Sequence, residues 1–220
     1  MKKSKILITV FCAVLLVTVS VLGTLAYLTS QDEVVNTFTV GKVKISLDEA
    51  AVNADGTEIA GADRVKENKY HLIPGQTYVK DPTLTVKAKS EASYVRMLLT
   101  INCADEFDAI YAPNKADLTT IFNGYDAANW VYETVTRDTA KNTITYEFRY
   151  KEIVTKSATD TDTKLEALFD SITVPSAFDS KDMESISDLK ITVIGHAIQA
   201  TGFENDVDAA WTAFDAEINS

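Results

Sequence analysis

The stretch from Tyr94 to Ile101 (YVRMLLTI) constrains the fold most strongly. It is eight residues long, almost wholly apolar, and free of Gly and Pro. That length and composition suit a central strand buried on both faces. Arg96 within it reads either as an outward residue or as a paired one. Shorter β-favouring runs surround it at close spacing. Lys69 to Lys87 carries turn points at Pro74-Gly75 and Asp81-Pro82. Trp130–Thr136 and Thr143–Tyr150 flank Arg137–Asn142 as a hairpin. Leu165–Phe169 and Ile172–Pro175 return to the core, and Leu189 to Gln199 (LKITVIGHAIQ) alternates along its length with a slight break at Gly195. Turn signals recur between the strands and there is no βαβ alternation, so an antiparallel β-sandwich is expected.

Two segments depart from this pattern. Ala104 to Asn129 reads as a helical insert, with Asn114 as its N-cap and Leu118, Ile121 and Phe122 at helical spacing. Glu204 to Asn219 reads as an amphipathic C-terminal helix, with Val207, Ala210, Trp211, Phe214 and Ile218 on one stripe. Such a helix is expected to cover a sheet edge or an open end of the sandwich. Asp48–Lys69 and residues 155–164 are polar and read as surface excursions, the first with a turn at Asp55-Gly56. Asn36 to Leu47 is strand-like, but the parity of Phe38 and Val40 differs from that of Val43, Ile45 and Leu47. A period of two cannot skip a residue without a bulge or turn, which falls at Gly41-Lys42.

The front end sets the location. Lys2, Lys3 and Lys5 precede an uncharged run from Ile6 to Leu22, and Thr24 and Ala26 occupy the −3 and −1 positions of a small-x-small site before Tyr27. This is the layout of a secretory signal peptide, residues 1–26, followed by a domain over 27–220. The rival reading is an uncleaved anchor; as a helix the run would span ~25 Å, slightly short of the ~30 Å hydrocarbon core. Cys12 has Phe11 before it, which does not suit a lipoprotein signal. Without the three leader lysines, 18 of the 21 cationic residues remain against 32 acidic ones, a formal charge of −14. That charge disfavours nucleic acid and anionic lipid as partners. Cys103 is then the lone cysteine, and no intramolecular disulfide can form.

No catalytic, cofactor-binding or metal residue is assigned. His71 and His196 are the only histidines, and neither lies in an H-E-x-x-H frame. A zinc site from both histidines and a carboxylate would require the strands to bring them together. Asn53-Ala54-Asp55-Gly56 does not fit the calcium-loop template, and Asp160-Thr161-Asp162 reads as a solvated loop. Trp130, Tyr132 and Tyr94 read as core aromatics before they read as a ligand face. There is no G-x-S-x-G elbow and no glycine-rich phosphate loop.

The chain resembles the TasA/camelysin family, which is exported by a SipW-type signal peptidase. The resemblance rests on the lysine tip and long apolar run ending in Gly23-Thr24-Leu25-Ala26-Tyr27-Leu28-Thr29, followed by Asn36-Thr37-Phe38-Thr39-Val40-Gly41-Lys42-Val43. Leu72-Ile73-Pro74-Gly75, Lys80-Asp81-Pro82, Tyr94-Val95-Arg96 and Ile191–Ala200 add to it; residues 48–68 and 104–164 do not. The resemblance implies a jelly-roll-like sandwich at the surface or in the extracellular matrix of a Gram-positive-type cell. It also implies self-assembly into biofilm fibres, each subunit donating its freed N-terminal strand to the next. The candidate donor is Tyr27 to Val35, whose apolar residues are Tyr27, Leu28, Val34 and Val35. The alternative is a monomeric surface adhesin that binds through 48–68 and 104–129. A third reading, a camelysin-type metallopeptidase, comes from the resemblance alone.

Overall fold

Side-chain alternation decides how the chain layers. The computed structural model describes residues 42–111, 122–203 and 206–218. Within them the strands are β1 (Ile45–Asp48), β2 (Thr77–Val79), β3 (Thr83–Val86), β4 (Ser93–Asn102), β5 (Phe122–Asn123), β6 (Trp130–Asp138), β7 (Thr143–Tyr150), β8 (Thr163–Lys164), β9 (Ser171–Thr173) and β10 (Ile191–Gln199). Three helices join them: α1 (Ala104–Tyr111), α2 (Ser180–Ser185) and α3 (Val207–Ile218). The strands make three antiparallel sheets, ordered β1-β3-β8, β10-β4-β7-β6 and β2-β9-β5. The domain is thus mainly β and antiparallel, as the strand spacing predicts.

The sheets share one core. β4 contributes Val95, Met97, Leu99 and Ile101, each at most 1% exposed. β7 adds Ile144, Tyr146 and Phe148, and the smaller sheets add Leu84, Val86, Tyr78, Phe122 and Ile172. The long run around Met97 is therefore a central strand, with β10 on one side and β7 on the other. At Gly195 the β1-β3-β8 sheet closes tightly on β10. A Cβ placed there would stand 2.6 Å from Leu84 Cδ1 and 3.6 Å from Ile45 Cδ1. Glycine is present because the opposing leucine occupies the space.

Several expectations change. Ala104–Tyr111 is helical, but Phe122 is not: it sits in β5, paired with Ile172 and packed 4.6 Å from the Phe169 ring. Its spacing from Leu118 mimicked a helix, and the sheet contact prevailed. Asn114 lies outside the described residues. The polar stretch after β1 is largely exposed and turns at Asp55-Gly56, as expected, but it is also pinned to the domain. Glu49 bridges to Val65 and Val52 to Glu58, and Asn68 donates to Glu49 Oε1 (3.0 Å) and to the Ala50 carbonyl (2.8 Å). Part of the 155–164 loop is strand, since Thr163 pairs with Val86. The Gly41-Lys42 bulge lies partly outside the described residues.

Candidate functional site

The stripe on α3 predicts a helix at an edge or open end. Instead α3 lies across the outer face of β10 and β4. Ala210 and Trp211 are buried there with Tyr94 and Ala200, and Val207, Phe214 and Ile198 pack around them. Even-numbered residues of β4 and β10 face this side, so Tyr94, Arg96, His196 and Ile198 lie beneath the helix.

Arg96 is the centre of the contact. Its side chain is 3% exposed, and its guanidinium forks onto the Asp215 carboxylate of α3, Nη1 donating to Oδ2 at 3.1 Å and Nη2 to Oδ1. Nε donates to His196 Nδ1 at 3.2 Å, and Glu147 of β7 stands 3.7 Å from Nη1. The guanidinium carbon lies 4.4 Å from the centre of the Trp211 ring and 5.3 Å from that of Phe214. A planar, permanently charged fork satisfies two carboxylates and two ring faces together, which an ammonium cannot do. Arg149 extends the network, from Nε to Glu147 (2.7 Å) and from Nη1 to Asp208 at the start of α3 (2.6 Å).

The electrostatics follow from this packing. Burial, with the Arg96 charge behind it, pushes the His196 imidazole below its ordinary 6.5. The neutral ring then accepts from Arg96 through Nδ1. The hydrogen bonds from Arg96 hold Asp215 below the ordinary 3.8. One element of the contact is imperfect: Trp211 Nε1 is buried with no hydrogen-bond partner among the described residues.

The remaining sequence candidates fall as follows. His71 is exposed before β2, and its carbonyl accepts from Tyr78 Oη at 2.8 Å. Among the described residues no group of three or more His, Cys, Asp or Glu side chains is placed to hold a metal, so His71 and His196 are not brought into one ligand set. Asp162 accepts from the Ala88 amide and Lys87 Nζ, and Asp55 from the Thr57 amide and hydroxyl. Asp55 spends its carboxylate on its own turn, and Asp162 spends both of its oxygens on the Lys87-Ala88 turn that follows β3. Trp130 is 1% exposed and donates from Nε1 to the Glu166 carbonyl; Tyr94 Oη donates to the Phe203 carbonyl. Neither offers a ligand face. Burial, followed by Glu106 and Asp188, pushes the Cys103 thiol up, away from nucleophilic use. Thr24, Ala26, Tyr27, Leu28, Val34 and Val35 lie outside the described residues.

The main sheet ends in two edges of different character. At β6 the edge carries Glu133, Arg137 and Asp138 and a register shift between Tyr132 and Thr134. Charges and bulges are how sheets discourage added strands. At β10 the edge reads ITVIGHAIQ, with no charged residue and no bulge. The Asn102 amide donates to the Lys190 carbonyl (3.3 Å) and the Ala200 amide to the Ala92 carbonyl (2.8 Å). Both lie in the single β10–β4 register, so even positions of β10 exchange hydrogen bonds with β4. The N–H and C=O groups of Ile191, Val193, Gly195, Ala197 and Gln199 therefore turn outward. Comparison of the chain with family models, with characterised proteins and with solved structures finds no match.

Proposed function

We propose that this chain is an exported structural subunit of a cell surface or extracellular matrix, which assembles into fibres by N-terminal strand donation. The observation that carries this reading is the front end. It places a basic tip, an uncharged run, a small-x-small site at Thr24 and Ala26, and a short polar segment from Tyr27 in one order. A SipW-type signal peptidase is the partner this order implies, and cleavage after Ala26 frees Tyr27–Val35 as a donor. The resemblance to the TasA/camelysin family supports the same reading and extends the antiparallel fold to a jelly-roll-like sandwich. Added strands gain affinity from main-chain hydrogen bonds and register from alternate side chains. Head-to-tail donation does not close on itself, so it builds filaments.

Electron microscopy of the exported protein, expressed with its own leader, tests the reading. Filaments that appear as concentration rises are expected, and deletion of Tyr27–Val35 should abolish them. Equal fibre formation by the deletion variant would rule out donation. N-terminal sequencing should give Tyr27 first; Met1 would rule out cleavage.

A further inference from the structure

We propose that the outward edge of β10 is the seat of the incoming strand, and that the strand comes from the Tyr27–Gly41 stretch of a second copy of this chain. The inference rests on the assembly reading above and assigns its acceptor.

Three observations carry it. The inner face of β10 is committed to the core through Val193 and Ala197, and α3 covers the His196–Ile198 end of its outer face, with Ile194 exposed beyond the helix. The backbone edge presents five consecutive outward N–H and C=O pairs, at Ile191, Val193, Gly195, Ala197 and Gln199, with no partner among the described residues. Backbone groups beside a packed core seek such partners. The edge is also uncharged in a chain of formal charge −11. Two like-charged copies meet with least repulsion there, whereas β6 puts a bulge and three charged residues in the way.

The position of Lys42 points to a second copy as the source. The Lys42 carbonyl accepts from Glu91, and the next residue, Ala92, accepts from Ala200. Lys42 therefore stands at the Gln199 end of β10, while Ile45 lies abreast of Gly195. From Lys42 to Ile45 the chain runs antiparallel to β10, so residues before Lys42 would have to turn back to lie along the edge of their own β10. The 15 residues from Tyr27 to Gly41 reach ~50 Å when extended. The nine residues of β10 need about 30 Å of that, leaving enough chain to cross to a neighbour.

Amide hydrogen exchange on the exported protein, as monomer and as assembly, tests the assignment. Val193, Gly195 and Ala197 should slow about tenfold or more on assembly, while Tyr132 of β6 keeps its monomer rate. Ala197→Pro removes an outward donor and leaves the β4 ladder intact. It should retain the thermal midpoint of the monomer to within a few degrees and lose assembly. Fibres whose odd β10 amides exchange as in the monomer would overturn the acceptor and leave the assembly reading standing. Protection of those amides already in the monomer would show the edge covered by its own chain, and would overturn the proposal. A protein that stays monomeric at every concentration would overturn the assembly reading and the acceptor together.

Discussion

Arg96 shows how much one buried charge can decide. Removing a single partner from a buried, hydrogen-bonded ion pair typically costs 3–5 kcal/mol, because the remaining charges lose their compensation. Arg96→Ala removes the donor that Asp215 and His196 share and the cation facing Glu147, and opens space under Trp211. It should lower the unfolding free energy by about 3 kcal/mol in urea. Asp215→Ala should cost less, since its carboxylate is half exposed and its loss is softened by solvent. The same contact answers to pH. The folded state keeps His196 neutral, so the unfolded chain binds more protons below 6.5, and stability falls as pH drops from there. Asp215 adds a second loss as pH falls through 3.8 towards its depressed value. Trp211 fluorescence should therefore report loosening of α3 on acidification below about 6.5, and His196→Phe should remove the first stage. The apolar stripe of α3 was legible from Val207, Ala210, Trp211 and Phe214. Arg96 was legible only as outward or paired, because Asp215 lies 119 positions away and no local pattern links them.

The elements show where local signals mislead. Leu118, Ile121 and Phe122 fit a helical period, yet Phe122 forms a strand because the Ile172 edge and the Phe169 ring offer it full burial. A two-residue strand has too little sequence to announce itself. The reverse holds for α2. Its capping box, in which Asp179 accepts from the Lys181 and Asp182 amides and Asp182 from the Asp179 amide, is written wholly within four residues. That helix was within reach of the sequence alone. Gly195 looked like a break in an alternating strand, but β10 runs through it without a register shift. The residue is fixed by the opposing sheet. Gly195→Ala should destabilise by about 1–3 kcal/mol by overpacking against the fully buried Leu84. Leu84→Val in the same chain should return part of that loss, and a double-mutant cycle measures the coupling.

Across the whole molecule, the sheets are held by a shared core, whereas α3 is held by a charged contact and an apolar cluster on the far side of the main sheet. Truncation before Val207 should leave that core folded and expose Tyr94, Ala200 and Ile198, detectable as binding of a hydrophobic dye. The antiparallel β class was legible because alternation and turn residues are local. The sheet orders were not, since β3 joins β8, and β2 joins β9, only through tertiary contacts. The stretch that looked least structured holds another long-range device. Arg64 donates to the carboxylates of Asp48 and Asp81, to both of their carbonyls and to the Thr83 hydroxyl. The chain from Asp48 to Arg64 is thereby closed into a ring without a covalent bond. A disulfide in that place would make the ring's closure depend on the redox state of its surroundings. Closed by a guanidinium, it holds equally in oxidising and reducing media, and high salt becomes the condition that loosens it.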